Sequence, residues 1–151
     1  MIKTCDNLRD IAKVWCEAFC DGFDDVKYFY DNIVNAECYA YYDNENIASL
    51  FYLVDCNLNN KKSKYIYAAC TLKAYRGKGY MSDLLDFVLN KFQSVCLIPA
   101  DNDLVNFYID RNFKYEHNIN TLSFNESDVL INDYLFEGCS LDNPFILCSN
   151  E

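Results

Sequence analysis

Arg76-Gly77-Lys78-Gly79-Tyr80 sets two glycines around a lysine, after an apolar run and before a segment of helical periodicity. Glycine lets consecutive backbone N–H groups face outward with no Cβ in the way. The start of a helix adds unpaired N–H groups and the positive end of its dipole, so this arrangement can cradle a phosphate. Arg76 and Lys78 place two of the chain's 13 basic residues in four positions, against 23 acidic residues overall. The same residues also make an ordinary strand-to-helix turn, and turn chemistry alone leaves both readings open.

Known phosphate motifs narrow the ligand. A Walker A loop needs Gly, four residues, then Gly-Lys-Ser/Thr, which is absent. A dinucleotide fingerprint would have a third glycine where Ser82 stands, with Asp101 as its ribose-binding acid. Lys73-Ala74-Tyr75-Arg76 separates the strand from the glycines, whereas dinucleotide glycines begin at the strand end, so a dinucleotide is the weaker reading. Cys16 and Cys20 are one helical turn apart, but no second Cys/His pair accompanies them, and no metal site is expected. Cys70 as an acyl-accepting nucleophile lacks a paired base and reads as a small buried thiol. His117, the only histidine, carries no motif and reads as structural.

Periodicity supplies the elements that must position this loop. Leu8, Ile11, Ala12, Trp15 and Phe19 predict a helix capped by Asp6, and Val26, Phe29, Tyr30 and Ile33 a second, shorter one. Glu37–Tyr42 and Ile47–Cys56 predict a hairpin turned at Asp43-Asn44-Glu45-Asn46, with Asn57–Ser63 a loop and Lys64–Leu72 a third strand. After the glycine loop, Met81, Leu84, Leu85, Val88 and Phe92 share one helical face. Ser94–Ile98 is a short buried strand closed by Pro99, and Asp101–Arg111 a helix with Leu104, Phe107 and Tyr108 inward. Phe113–Phe124 and Phe136–Cys148 are expected as late strands on either side of polar Asn125–Asp133. The order α-α-β-β-β-α-β-α-β-β predicts a mixed α/β sheet with helices on both faces, folded as one domain over residues 1–151.

Composition excludes several classes. Hydrophobic residues make up 52 % and aromatics 17 %, with four Gly and two Pro, which rules out a disordered or linker-rich chain. A net charge of −10 argues against a nucleic-acid backbone binder; it favours a cationic small molecule or peptide, or serves only solubility. Nine cysteines, an odd number lying mostly in apolar runs, fit reduced buried thiols, and no hydrophobic signal segment follows the first residues. No apolar stretch reaches membrane-span length. The expectation is a cytoplasmic protein with no membrane association.

Thr71-Leu72-Lys73-Ala74-Tyr75-Arg76-Gly77-Lys78-Gly79-Tyr80-Met81 resembles motif A of the GNAT superfamily of N-acetyltransferases, Gln/Arg-x-x-Gly-x-Gly/Ala after a strand. Ala74 departs from its first position, although Arg76 keeps a guanidinium in the loop. Downstream, Asn102-x-x-Val105-x-x-Tyr108-x-x-x-Asn112-Phe113 is similar to that family's Asn-x-x-Ala-x-x-x-Tyr-x-x-x-Gly-Phe, one residue shorter between Asn and Tyr. Asn112 replaces the capping glycine; Asn is the next-best residue for a left-handed backbone. The likeness covers roughly residues 1–124. Tyr65-Ile66-Tyr67 and Gly79-Tyr80-Met81-Ser82 further resemble bacterial enzymes of the enhanced-intracellular-survival group, whose second domain this chain is too short to include.

The resemblance implies a GNAT-like, mainly antiparallel sheet with a central splayed parallel strand pair, Lys64–Leu72 and Ser94–Ile98. It implies acetyl-CoA as cosubstrate, with backbone at Cys70, Thr71 and Leu72 on the pantetheine arm, amides of Arg76, Gly77, Lys78, Gly79 and Tyr80 on the pyrophosphate, and Asn102 also reaching the pantetheine. Tyr108 matches the tyrosine that protonates the departing thiolate; by residue type alone it is equally a core aromatic, one of 13 tyrosines. The family's strand carboxylate is replaced by Tyr67, so no general base is assigned; a water relay to Glu37, Asp55 or another acid, or an acceptor that is already neutral, stays open. The implied activity is acetyl transfer to a primary amine of a small molecule or peptide by direct attack, and a homodimer is compatible with it. The missing carboxylate and Ala74 motivate the alternative, a non-catalytic acyl-CoA-binding module.

Overall fold

The apolar spacing Leu8, Ile11, Ala12, Trp15 becomes helix α1 (Leu8–Ala18) in the computed structural model, which describes residues 1–151. Its cap is Asn7, whose side chain accepts from the Asp10 N–H at 3.1 Å. Asp6, the expected cap, is otherwise engaged: its carboxylate and carbonyl accept from the Tyr30 hydroxyl at 3.0 and 2.9 Å. Tyr30 lies on α2 (Phe23–Asn32), so the capping segment doubles as the tie between the first two helices.

A short strand β1 (Ile2–Cys5), absent from the sequence expectation, pairs antiparallel with β2 (Ala36–Asp43). Four residues with Lys and Thr in the middle give no alternation to detect, as suits a sheet edge. Strand β2 turns at Asn44-Glu45 into β3 (Asn46–Leu58), and β3 turns into β4 (Lys61–Thr71). The expected Asn57–Ser63 loop is therefore a hairpin tip of only Asn59-Asn60, both with positive φ, 50° and 65°. Asparagine tolerates that conformation, and two such residues match the twist of a tight hairpin.

After the glycine loop come α3 (Tyr80–Lys91), β5 (Val95–Leu97) and α4 (Asn102–Ile109). At the end of α4, Asn112 has φ 76° and the Phe113 N–H reaches back to the Tyr108 carbonyl at 3.1 Å, the left-handed cap expected there. The expected strand Phe113–Phe124 divides into β6 (Tyr115–Asn118) and β7 (Leu122–Phe124) around a turn in which the Asn118 side chain accepts from the Asn120 N–H. The polar stretch Asn125–Asp133 contributes a helix, α5 (Val129–Tyr134), capped by Asp128, and the last strand is confined to β8 (Phe145–Cys148).

The eight strands follow the order β1-β2-β3-β4-β5-β8-β6, with β7 pairing the end of β3 beyond the reach of β2. Every pairing is antiparallel except β4 with β5. Helices α1, α2 and α5 bury Trp15, Phe29 and Ile131 against one face; α3 and α4 bury Leu84, Val88 and Tyr108 against the other. No helix is long and apolar enough to cross a membrane. All nine cysteines are free thiols, and six of them are buried.

Candidate active site

Strands β4 and β5 are in register only at Lys64–Val95 and Tyr65–Cys96, and then diverge. Two local features of the sequence open them. In β4, Tyr67 faces Tyr52 and Cys70 faces Leu50, so Ala68 and Ala69 together oppose Phe51, and Ala68 has φ 58°. This bulge bends β4 and costs about 1 kcal/mol or more for a residue with a Cβ, the kind of strain kept where geometry matters. In β5 the strand stops at Leu97, two residues before Pro99. Between the diverging strands lies a cleft of about 340 Å³.

The glycine loop sits beyond the open end of β4. Gly77 and Gly79 have φ of +79° and +81°, and no atom lies within 4 Å of a Cβ placed on either. The conformation, not crowding, demands glycine here. The Arg76 N–H is closed on the Lys73 carbonyl at 3.3 Å, and the first amide of the α3 ladder is that of Asp83, bonded to the Gly79 carbonyl at 3.0 Å. The outward set of amides thus runs from Gly77 into the first turn of α3.

Four contacts fix this loop. The Arg76 Nε donates to the Thr71 carbonyl at 3.1 Å. The Tyr80 ring stacks on Tyr41 at 4.2 Å, and its hydroxyl donates to Asp43 at 2.8 Å. The Lys73 N–H donates to Glu17 of α1 at 2.6 Å. Lys78 stays exposed, its ammonium 5.5 Å from the Tyr75 ring.

Of the other singled-out residues, Cys70 and Leu72 are buried and their backbones are directed to β3, Leu72 donating to the Ala48 carbonyl at 2.9 Å. Burial pushes the Cys70 thiol well above its ordinary range, which removes it as a nucleophile. Thr71 shares a 2.7 Å hydroxyl hydrogen bond with Ser49. By strand alternation its backbone polar groups face away from β3, toward the opening. Asn102 is exposed in the first turn of α4, next to the cap Asp101, which accepts from the Leu104 N–H at 3.0 Å.

Tyr108 lines the cleft from the last turn of α4 and is 7 % exposed. Burial, and then the charge of Asp101, push its phenol up to about 12, with Arg111 opposing. Arg111 locks this turn: its Nε donates to Ser82 of α3 at 2.8 Å and its guanidinium lies 3.6 Å from the Phe107 ring centre. Tyr67 also lines the cleft; burial first, and then Asp21 and Glu137, hold its phenol above the ordinary range.

Neither carboxylate considered for a relay is at this cleft. Asp55 pairs with Lys64, and both line a separate polar depression of about 520 Å³ with Lys62 and Gln93; Glu37 faces Leu53 across β2 and β3. That depression offers no glycine loop. His117 is on β6, remote from the cleft, with its Nε2 buried and unpartnered. The carboxylates that do line the cleft are Asp21 and Glu137. Asp21 stands after α1, where the sequence reads only as a helix break, and accepts from the Trp15 indole at 2.8 Å. Glu137 comes from the segment after α5, which carries no motif. That segment is docked on the cleft edge by hydrogen bonds from Ser140 and Cys139 to the Ala100 and Pro99 carbonyls.

No protein-family model and no curated protein matches this chain. Solved structures do. An acetyltransferase from Bacillus subtilis in complex with CoA superposes with a TM-score of 0.65 at 13 % identity, over 99 % of this chain and 97 % of that one. A GNAT family acetyltransferase from Elizabethkingia anophelis with acetyl-CoA bound gives 0.61 at 12 %, over 100 % and 97 %. A probable N-acyltransferase from Enterococcus faecalis gives 0.55 at 16 %, over 72 % of this chain, which spans only 31 % of that protein's length. The chain has the GNAT fold.

Proposed function

We propose that the protein is an N-acetyltransferase that moves an acetyl group from acetyl-CoA to a primary amine by direct attack. The observation that carries the reading is the split between β4 and β5, with a helix-start anion cradle outside it and Tyr108 facing into it. The same fold in proteins that hold CoA or acetyl-CoA supports it. The finer likeness to the enhanced-intracellular-survival group, a cytoplasmic location and an undivided single domain belong to the same proposal.

The residues fit the donor. Gly77, Lys78, Gly79 and Tyr80 present amides at a helix start to a pyrophosphate, with the exposed charges of Arg76 and Lys78 beside it. The outward Thr71 N–H offers a strand edge to the pantetheine, whereas the expected backbone groups of Cys70 and Leu72 are turned to β3 and only flank it; Asn102 flanks its path. The donor supplies an activated acyl carbon. Attack forms the N–C bond, the C–S bond breaks, the nitrogen loses its proton and the sulfur gains one.

Tyr108 acts on the sulfur. At about 12 its phenol is a weaker acid than a thiol, ordinarily about 8.5, so full proton transfer to a thiolate is uphill by roughly 5 kcal/mol. Its part is hydrogen-bond donation to the charge growing on sulfur, which relays the proton released by the amine.

A thermal-shift comparison at equal concentrations of acetyl-CoA, CoA, NAD and ATP tests the reading. A ligand at 100 times its Kd adds about 2.7 kcal/mol, several degrees for a chain of this size. Stabilisation by both CoA forms alone, with acetylation of an amine panel, is expected. Stabilisation without acetylation of any amine selects the acyl-CoA-binding module, which Tyr67 in place of a strand carboxylate favours. No CoA shift at all overturns both.

A further inference from the structure

The cleft passes between the two helical layers, and its two ends differ in chemistry. Toward α4 stand Leu104 and Tyr108, with the glycine loop beyond the end of β4. Toward α1, α2 and the segment after α5 stand Trp15, Phe19, Asp21 and Glu137. Twelve of the 15 lining residues are hydrophobic; the others are Asp21, Glu137 and Gly138. No lysine, arginine or histidine reaches the cleft wall.

We propose that this end, bounded by Trp15, Phe19, Asp21, Tyr67 and Glu137, selects as acceptor a primary ammonium on an apolar or aromatic scaffold that carries no phosphate or carboxylate. The inference rests on the acetyltransferase reading and names its substrate class. The walls are held rigid. Trp15 is 4 % exposed, packs edge-on to Tyr67 at 5.9 Å, and donates its indole N–H to one Asp21 oxygen, leaving the other to a ligand. Phe29 stacks on the Tyr67 ring at 5.1 Å from behind. Tyr108, nine-tenths buried, faces the same cavity from its other side. Aromatic faces and two carboxylates are complementary to a cation with an apolar body. An acceptor bearing its own anion would meet two like charges and no cation to offset them.

Asp21 and Glu137 recognise the ammonium and do not serve as the base. The amine sheds its proton to solvent before it attacks. Removing either carboxylate therefore acts on KM and leaves kcat in place.

The test uses the whole chain, acetyl-CoA and chromatographic detection of acetylated product. The amine panel contains phenethylamine, hexylamine, spermidine, glutamate and glucosamine 6-phosphate. Phenethylamine and hexylamine are expected to exceed the two anionic amines by about 100-fold or more in kcat/KM. Asp21→Asn and Glu137→Gln are each expected to raise the phenethylamine KM about tenfold, with kcat within about threefold and an unchanged thermal shift by acetyl-CoA. Preference for an anionic amine overturns the inference while acetyl-CoA binding and turnover stand. So does an unchanged KM in both variants, or a loss confined to kcat that also removes the low-pH limb of the rate profile. A parent protein that neither binds acetyl-CoA nor acetylates any amine overturns the underlying reading and this inference with it.

Discussion

The Tyr65 hydroxyl donates to the Leu135 carbonyl at 2.7 Å, with both residues buried. Tyr65 is the last position at which β4 pairs with β5, and Leu135 precedes Glu137 by two residues. One buried hydrogen bond thus joins the point where the strands part to the segment that closes the cleft.

Tyr65→Phe removes the donor and leaves a buried carbonyl without a partner. It should cost about 1–3 kcal/mol, lowering the melting midpoint by about 2–4 °C per kcal/mol. The acceptor KM should rise as the Glu137 segment loosens, while the acetyl-CoA shift in the same assay stays unaltered.

Tyr108→Phe keeps the ring and its packing and removes only the hydroxyl. A fall in kcat of about 100-fold with little change in acetyl-CoA affinity is expected, in the range for a positioned proton donor. Steady-state kinetics with isothermal titration checks it, and an unchanged kcat would leave Tyr108 as a core aromatic.

Gly79→Ala meets no clash, yet must hold φ near +81°. The strain of about 1–2 kcal/mol falls on the conformation that turns the amides outward, so CoA affinity should drop about tenfold. Lys78→Ala removes one exposed charge, and its effect should shrink as salt rises, whereas that of Gly79→Ala should not.

Burial raises the Tyr52, Tyr65 and Tyr108 phenols and the Cys38 and Cys70 thiols, and the hydrogen bond with Cys56, then burial, raises the Cys96 thiol. An unfolded chain ionises its thiols from about 9 and its phenols from about 10, whereas the folded chain keeps them protonated. Above pH 9 the unfolded state therefore binds fewer protons than the folded one, and stability falls as pH rises. Each such group adds up to about 1.4 kcal/mol per pH unit, so urea midpoints should be flat near neutral pH with respect to these groups and fall steeply between 9 and 11. In the same window Tyr108 stays protonated, so catalysis should show no descending limb from it below about pH 11.

Local chemistry along the chain determined much of the glycine-loop side of the cleft. Glycines at 77 and 79, an asparagine at 112 and apolar spacing in α3 and α4 each dictate a local conformation, and local conformation is legible from residue type. The side bounded by Asp21 and Glu137 was decided by tertiary packing. Asp21 reaches the cleft through a bond to Trp15, and Glu137 through a segment docked on Ala100; neither contact has a periodic or turn signature. The β4 bulge is equally silent, because Tyr67-Ala68-Ala69-Cys70 reads as an unbroken buried strand and only pairing against Phe51 shows the extra residue. Strand β8 is placed between β5 and β6 by apolar burial and hydrogen bonding across 50 residues, a choice among sheet edges that spacing along the chain cannot express.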